Sequence, residues 1–446
     1  MKLWDKNIST LKAVEKFTVG NDREFDIQLA PFDVLGSIAH TKMLCEVGII
    51  SVKEKFLLIT ELKNIHSLIK KNKFKIHPKS EDIHSQIELH LTEKLGEVGK
   101  KIHTARSRND QVLLDIKLFL RAEIEKLTIE VKNLFDVLQT QSEKYKNYLL
   151  PGYTHFQIAM PSSFGMWFGA YAESLIDDLI TIKSAFDVVN KNPLGSAAGF
   201  GSSFQINREK TTKYLGFASL NVNSVYAQMT RGKTEKIVSQ AISNLADTLS
   251  KFSMDVVLYS NQNFGFISFP DELTTGSSIM PHKKNLDVFE LIRARTNQIK
   301  SLPNEISLIT SNLPSGYHRD FQILKENLFP AFQTLSTCIE IISIMIAKIK
   351  INKNILTDDK YKYIFSVDEV NKLVQKGTPF RDAYKIIAEQ IENNSYKASG
   401  IENINFGTHT GSIGNLGNKE IKTNFQKIYN SFPFKFINSN LKQLAS

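Results

Sequence analysis

The stretch that decides the fold begins Gln111-Val112-Leu113-Leu114-Asp115-Ile116 and continues to about Lys146. At about 1.5 Å per residue, a helix over this stretch spans roughly 50 Å. One small domain cannot cover so long a helix, so the pattern predicts a helix bundle or an assembly of subunits. Its apolar residues recur every three or four positions, as one buried helical face requires: Leu113, Ile116, Leu120, Ile124, Leu127, Val131, Leu134 and Leu138.

Similar periodic segments follow at 162–189, 234–262, 286–312 and 324–351. Pro303 is expected to kink or split the third of these, because proline interrupts helical hydrogen bonding. We therefore predict a mainly α fold whose centre is a bundle of five long helices.

The lengths of the helical patterns divide the chain into three expected domains. Residues 1–110 predict a mixed helical N-terminal domain. Residues 111–355 hold the central helix bundle, and residues 356–446 predict a small helical C-terminal domain.

The composition is typical of a globular protein, with 42% hydrophobic and 23% charged residues among 446. The two cysteines, Cys45 and Cys338, exclude a disulfide framework and a cysteine-based metal site, which favours a reducing cytoplasm. The first residues lack the apolar core of a signal peptide, and no segment reaches the ~18 uncharged apolar residues of a membrane helix. We expect a cytoplasmic protein without a membrane partner.

The net charge is formally +10. The excess consists mostly of lysines spread along helical faces, without an aromatic-basic motif of the RNA-binding kind. Attraction of a small anionic substrate is therefore favoured over nucleic-acid binding.

Three polar clusters lie at the junctions of the long helices, at 103–110, 151–157 and 274–285. In an antiparallel bundle, loops after odd and even helices fall at opposite ends. The clusters therefore need not meet within one subunit, which indicates a site assembled between subunits.

The third cluster, 274–285, combines Gly276, two serines, Pro281, two lysines and an amide directly before an apolar-periodic segment that begins at Leu286. A helix start offers unpaired N–H groups and a positive dipole end, which favour a carboxylate or phosphate. The loop is interpreted as an anion-binding loop with a candidate oxygen base. A solvated linker is the alternative.

The first cluster contains Arg106, Arg108, Asn109 and Asp110. Capping of the next helix accounts for Asp110, whereas paired guanidinium groups and an amide favour carboxylate binding. In the second cluster, His155 is a candidate acid and base because the imidazole pKa lies near neutrality. A structural histidine is the alternative.

Further along, Tyr317, Gln322 and Lys325 could face one ligand, with a capped surface helix as the alternative. His84 and His90 lack the i, i+4 spacing of a helical metal pair, and no carboxylate-rich cluster accompanies them in the sequence. The sequence therefore predicts no metal.

Together these motifs resemble the fumarase/aspartase superfamily and, within it, the argininosuccinate lyase family. The most specific motif is Gly276-Ser-Ser-Ile-Met-Pro-His-Lys-Lys-Asn285. His103-Thr-Ala-Arg-Ser-Arg-Asn-Asp-Gln111, Leu150-Pro-Gly-Tyr-Thr-His-Phe-Gln157 and the Tyr317…Gln322…Lys325 pattern follow the family's order and spacing. The resemblance covers nearly the whole chain and is weakest in the last ~40 residues.

The resemblance implies a three-domain, mostly helical fold whose central helices form the core of a homotetramer with shared active sites. The implied reaction is the reversible elimination of arginine from argininosuccinate to release fumarate, without a cofactor. A carbon–nitrogen lyase of arginine biosynthesis is therefore expected.

The family's roles transfer to matching positions only. Ser277 corresponds to the base, Lys283 to its activator and His155 to the acid–base partner. Arg108 corresponds to a carboxylate clamp, and His84 to a further polar position near the site. Further substrate contacts correspond to Asn109, Thr154, Asn285, Tyr317, Gln322 and Lys325.

Several positions depart from the family pattern. His282 is more typical of adenylosuccinate lyases, which keeps such an enzyme as an alternative, although the Arg106-Ser107-Arg108-Asn109 block opposes it. Asn21-Asp22 stands where the family has a substrate-binding serine, and 223–231 departs from the usual motif. A non-catalytic, crystallin-like relative is the third alternative, and the joint presence of Ser277, His155 and Lys283 argues against it.

Overall fold

The long helix of the central bundle begins with a capping box. In this computed structural model, which describes residues 11–77, 80–397 and 406–446, the Ser107 side chain caps the helix while Ser107 N–H donates to Asp110 Oδ1 at 2.9 Å. This satisfies N–H groups that a helix start otherwise leaves unpaired. All eight residues of the predicted apolar seam are buried, which confirms the bundle helix.

The helices of the N-terminal part are α1 (Lys12–Val19), α2 (Asp22–Asp26), α3 (Ala30–Glu46), α4 (Val52–Lys70), α5 (Ile83–Leu95) and α6 (Glu97–Lys100). The central part holds α7 (Arg108–Tyr145), α8 (Phe164–Val189), α9 (Arg208–Tyr214), α10 (Ser224–Met229), α11 (Lys233–Ser260), α12 (Asp287–Ile299), α13 (Leu302–Ile309) and α14 (Leu324–Ala347). The C-terminal part holds α15 (Ser366–Gln375), α16 (Phe380–Glu392), α17 (Asn418–Tyr429) and α18 (Phe434–Ala445).

The predicted break at Pro303 is confirmed. Helix α12 ends at Ile299 and α13 begins at Leu302, which places Pro303 in the first turn, where its missing N–H costs nothing. The long helices pack side by side, α7 against α8 and α14, and α11 against α8 and α12.

Short strands join the helices: β1 (Leu149–Thr154), β2 (Gln157–Ser163), β3 (Lys191–Asn192), β4 (Ser219–Leu220), β5 (Ile267–Ser268) and β6 (Lys350–Ile351). Strands β1 and β2 form an antiparallel hairpin in which Thr154 pairs with Gln157. The register shifts between Pro151 and Tyr153, where a side chain on Gly152 would approach Met160 O to 2.7 Å. Only glycine fits this irregularity.

One hydrophobic core extends from Leu29 to Leu444 and draws residues from all three predicted domains. A second, small cluster of Val370, Ala383 and Ile387 holds α15 against α16. The division into three domains stays a prediction.

One helical stretch of the described chain, Arg319–Ala347, passes a length-and-composition test for a membrane span, with 56% of its most apolar window buried inside the protein. Its packing against α7 is that of a core helix.

Candidate active site

A cavity of about 90 Å³ lies where α2, the start of α5, the start of α7 and the segment leading into α14 meet. It brings together half of the predicted site residues: Arg108, Asn109, Tyr317, Gln322 and Lys325. The residues that complete its lining are Asp22, Asp26, Asp82, His84, Val112, Arg231 and Arg319. The mixture of cations and carboxylates suits a ligand that itself carries charges of both signs.

Lys325 is a deeply buried cation of this cavity, at 4% exposure. Its ammonium group lies 2.5 Å from Asp22 Oδ1 and also contacts Asp26 Oδ1. Burial alone would lower the pKa of Lys325, but the two carboxylates raise it above its ordinary value. Burial, together with the charge of Asp26, raises the pKa of Asp22 to about 6. The ammonium group of Lys325 therefore keeps its proton and lies between the two carboxyl groups.

Arg108 is held by three groups at the start of α5. Its Nε lies 3.2 Å from Asp82 Oδ2, its Nη1 donates to Glu81 Oε2 at 3.2 Å, and its Nη2 donates to Ser85 Oγ at 2.7 Å. These contacts fix the guanidinium beside the cavity. Its role as a carboxylate clamp stays a prediction.

Gln322 is anchored to the N-terminal segment. Its Nε2 donates to Thr18 O at 3.0 Å and to Val19 O at 3.2 Å, and Arg319 donates to the same Thr18 carbonyl at 3.0 Å. These hydrogen bonds join the end of α1 to the segment that leads into α14.

His84 has carboxylate neighbours that come from distant parts of the sequence. Its Nδ1 donates to Asp33 Oδ2 at 2.5 Å, and Asp115 Oδ2 lies 3.4 Å away. The expectation that no carboxylate cluster accompanies His84 is therefore wrong. The sequence does contain a signal for this cluster, because Asp33 and Asp115 are charged residues within otherwise apolar stretches of their helices.

The other predicted residues lie outside this cavity. Thr154 and His155 are exposed at the tip of the β1–β2 hairpin. His155 and Phe156 have φ of 52° and 57°, in the left-handed region that a tight two-residue hairpin turn requires. This turn leaves the imidazole exposed.

Ser277, Lys283 and Asn285 lie on the loop before α12. The backbones of Thr275 and Asn285 close this loop through paired hydrogen bonds, with Thr275 N–H donating to Asn285 O at 3.1 Å and Asn285 N–H donating to Thr275 O at 2.8 Å. Ser277 Oγ accepts the N–H groups of Ile279 at 3.3 Å and Met280 at 3.1 Å. Two donors at one oxygen stabilise negative charge there.

The family model described as "Lyase" matches residues 6–300 of the chain. Two solved structures share the fold: an EDDS lyase variant with bound fumarate has a TM-score of 0.74 at 20% identity, covering 98% of this chain and 95% of that one. Class II fumarase from Schistosoma mansoni has a TM-score of 0.71 at 17% identity, covering 86% and 91%. The fold is that of the fumarase/aspartase superfamily of lyases.

Sequence similarity identifies the family within this superfamily. Argininosuccinate lyase from Bacteroides fragilis is 55% identical over 434 residues, which cover 97% of this chain and 96% of that protein. Argininosuccinate lyase from Parabacteroides distasonis is 54% identical over 443 residues, covering 99% of both chains. The chain belongs to the argininosuccinate lyase family.

Proposed function

We propose that the protein cleaves argininosuccinate reversibly into L-arginine and fumarate, as a carbon–nitrogen lyase of arginine biosynthesis. The observation that carries this proposal is identity of 54–55% to argininosuccinate lyases over nearly the full length of both chains. The cavity supports it, because argininosuccinate carries several carboxylates together with a guanidinium and an ammonium group.

In the proposed reaction, Ser277 removes the proton from the carbon beside a carboxylate, and the electron pair of that C–H bond moves onto that carboxyl group. This pair then forms the C=C bond as the C–N bond breaks, and His155 supplies the proton that the departing guanidino nitrogen needs. Ser277 is supported as the base by the two N–H groups at its oxygen. Lys283 assists by placing positive charge on the same loop.

The difficult step leaves two negative charges on one carboxyl group. Preorganised cations and amides stabilise such charge without reorganising during the reaction. Lys325, Asn109 and Arg108 are proposed to do so from the cavity. The remaining proposed substrate contacts are Thr154, Asn285, Tyr317 and Gln322.

The site is proposed to be completed between subunits of a homotetramer. The exposure of the hairpin tip and of the loop that carries Ser277 supports this, since neither lines the cavity. Apolar side chains on the long helices offer further surface for burial in an assembly: Ile180, Met254, Leu291 and Ile344 are each more than 40% exposed. A cytoplasmic location and the three-domain division are part of the same proposal.

The test is ultraviolet detection of fumarate released from argininosuccinate and, side by side, from adenylosuccinate. Release from argininosuccinate alone is the expected result. Release from adenylosuccinate alone would favour the alternative that His282 suggests, and inactivity with both substrates would favour a non-catalytic relative.

A further inference from the structure

A buried carboxyl cluster lies directly behind the wall that His84 contributes to the cavity. It consists of Asp33 on α3 and Asp115 on α7, both with 0% exposure. The helices approach closely here, since a side chain on Gly36 would lie 2.7 Å from Leu114 Cδ2. The roles proposed above use neither carboxyl group.

The three side chains each place a ligand atom within 4.8 Å of the others, as a metal site would. The distances favour a proton instead of a metal ion. Two ligand atoms around a tetrahedral ion lie roughly 3.3–3.6 Å apart, given bonds of about 2.0–2.2 Å, whereas His84 Nδ1 and Asp33 Oδ2 are 2.5 Å apart. Gln111 Nε2 also donates to Asp33 Oδ2, at 2.7 Å. The Asp33 oxygen that faces His84 is therefore occupied by donors.

Asp115 accepts no hydrogen bond from any described residue at either carboxyl oxygen, although both oxygens are buried. An ionised carboxylate without donors is expensive to bury. Burial first, and then the charge of Asp33, raise the pKa of Asp115 well above its ordinary value. Both features favour the neutral acid form of Asp115, whose proton can be donated to Asp33.

His84 is held by one ring nitrogen only. Its Nδ1 binds Asp33, and its Nε2 makes no hydrogen bond to any residue in the described part of the chain. Burial alone would lower the pKa of His84, but the hydrogen bond to Asp33 and the Asp33 charge raise it above its ordinary value.

Further charged groups surround His84 and its partner Asp33. Asp26 and Asp82, at the end of α2 and the start of α5, favour its cation. Arg106 Nη1 donates to Ser37 Oγ at 2.9 Å, and Ser37 Oγ donates to Asp33 Oδ1 at 3.1 Å. Asp33 thus receives hydrogen bonds at both oxygens.

We propose that Asp33 and Asp115 are positioning residues that hold the His84 ring against the cavity wall, so that its Nε2–H binds a carboxylate of the substrate. Asp33 orients the ring and maintains its positive charge, and Asp115 donates its proton to Asp33. The inference rests on the proposed function, because it concerns the same cavity.

The test compares Asp115→Asn with Asp33→Asn in the full-length protein. The amide that Asp115→Asn introduces can donate to Asp33 as the acid does, so KM for argininosuccinate stays within about threefold of wild type. Asp33→Asn removes the anion that keeps His84 charged, so KM rises on the order of 30-fold while kcat falls less. In the pH profile of kcat/KM, the decline at high pH also moves to lower pH in Asp33→Asn, because His84 then loses its proton more readily.

Fumarate binding measured by calorimetry reports the same contact without turnover. Asp33→Asn is expected to weaken it and Asp115→Asn to leave it nearly unchanged. If Asp115→Asn folds poorly, Asp115→Ser supplies a smaller donor and the same ranking is expected.

Equal damage from both substitutions would show that Asp115 is ionised and would overturn the proposal. An unchanged KM together with unchanged fumarate binding in Asp33→Asn would also overturn the proposal. A stoichiometric metal ion found in the purified protein by elemental analysis would do the same. A wild-type protein that binds fumarate but releases none from argininosuccinate would count against the proposed function alone.

Discussion

The cavity and the two surface loops hold their polar groups in opposite ways. In the cavity, Lys325 is buried between Asp22 and Asp26. On the loops, His155 is exposed, and Ser277 is partly exposed with its oxygen held by backbone N–H groups. The charges proposed to bind the substrate are thus fixed within one chain, whereas the groups proposed to transfer protons are left accessible.

The difference follows from the cost of burial. An ion inside a protein requires partners, and the groups that supply them must fold around it. A hydroxyl or an imidazole that is proposed to reach a substrate on another subunit has to remain exposed, and a rigid turn can hold it there. Substitutions in the two regions should therefore separate effects on stability from effects on activity.

The largest expected effect is that of Ser277→Ala on the loop. Loss of the base should lower kcat by roughly 10³-fold or more, while the melting temperature stays unchanged because the side chain is not buried. Steady-state fumarate release and thermal unfolding measure both quantities. Ser278→Ala is the matched control and should remain active; the reverse ranking would move the base to Ser278.

His155→Asn should lower kcat on the order of 10²–10³-fold by removing the proton donor. Asparagine tolerates the left-handed conformation at φ of 52°, so the hairpin and the melting temperature should be preserved. Near-normal turnover with intact folding would make His155 a structural residue.

Lys325→Met tests the opposite region. It leaves Asp22 and Asp26 buried without their cation and should lower the free energy of unfolding by about 3–5 kcal/mol. The rate of fumarate release should fall as well. Denaturant unfolding checks this. Lys283→Met, at an exposed loop position, is the control and should leave stability unchanged; similar losses in both variants would remove the contrast between the two regions.

The smallest expected effect concerns a buried charge outside both regions. Lys117 donates to Asn221 Oδ1 at 2.6 Å and to Lys191 O at 3.1 Å, and burial lowers its pKa to about 7 from 10.5. Between these two pH values, Lys117 is protonated in the unfolded chain but not in the folded chain. The free energy of unfolding therefore rises with pH over this range. Below pH of about 7, Lys117 is protonated in both states and its contribution is constant.

Lys117→Met should reduce the increase of the free energy of unfolding with pH, by at most about 1.4 kcal/mol per pH unit. Denaturant unfolding at pH 7, 8 and 9 measures the slope. A slope equal to that of wild type would show that Lys117 remains protonated in the folded protein.

Sequence alone could predict the parts of the fold that depend on local pattern. The apolar seam of α7 and the break at Pro303 are examples, because period and proline chemistry act within a few residues. The β1–β2 hairpin was not predicted, since its register depends on Gly152 fitting against Met160.

For the site, motif spacing indicated the residues but not their surroundings. The cluster around His84 joins Asp33 and Asp115, which are 51 and 31 positions away along the chain. Likewise, the contacts that hold Arg108 and Gln322 come from α5 and the end of α1. Such contacts depend on how the helices pack, which no local pattern specifies.

Mixing two inactive variants tests most directly whether neighbouring subunits complete one site. Ser277→Ala and His155→Asn are unfolded together, refolded together and assayed for fumarate release. If the two side chains reach a site from different subunits, about a quarter of the sites in randomly mixed tetramers regain both groups, and activity should approach that fraction of wild type. Activity no higher than that of the parents, with mixed tetramers shown to form, would contradict a shared site.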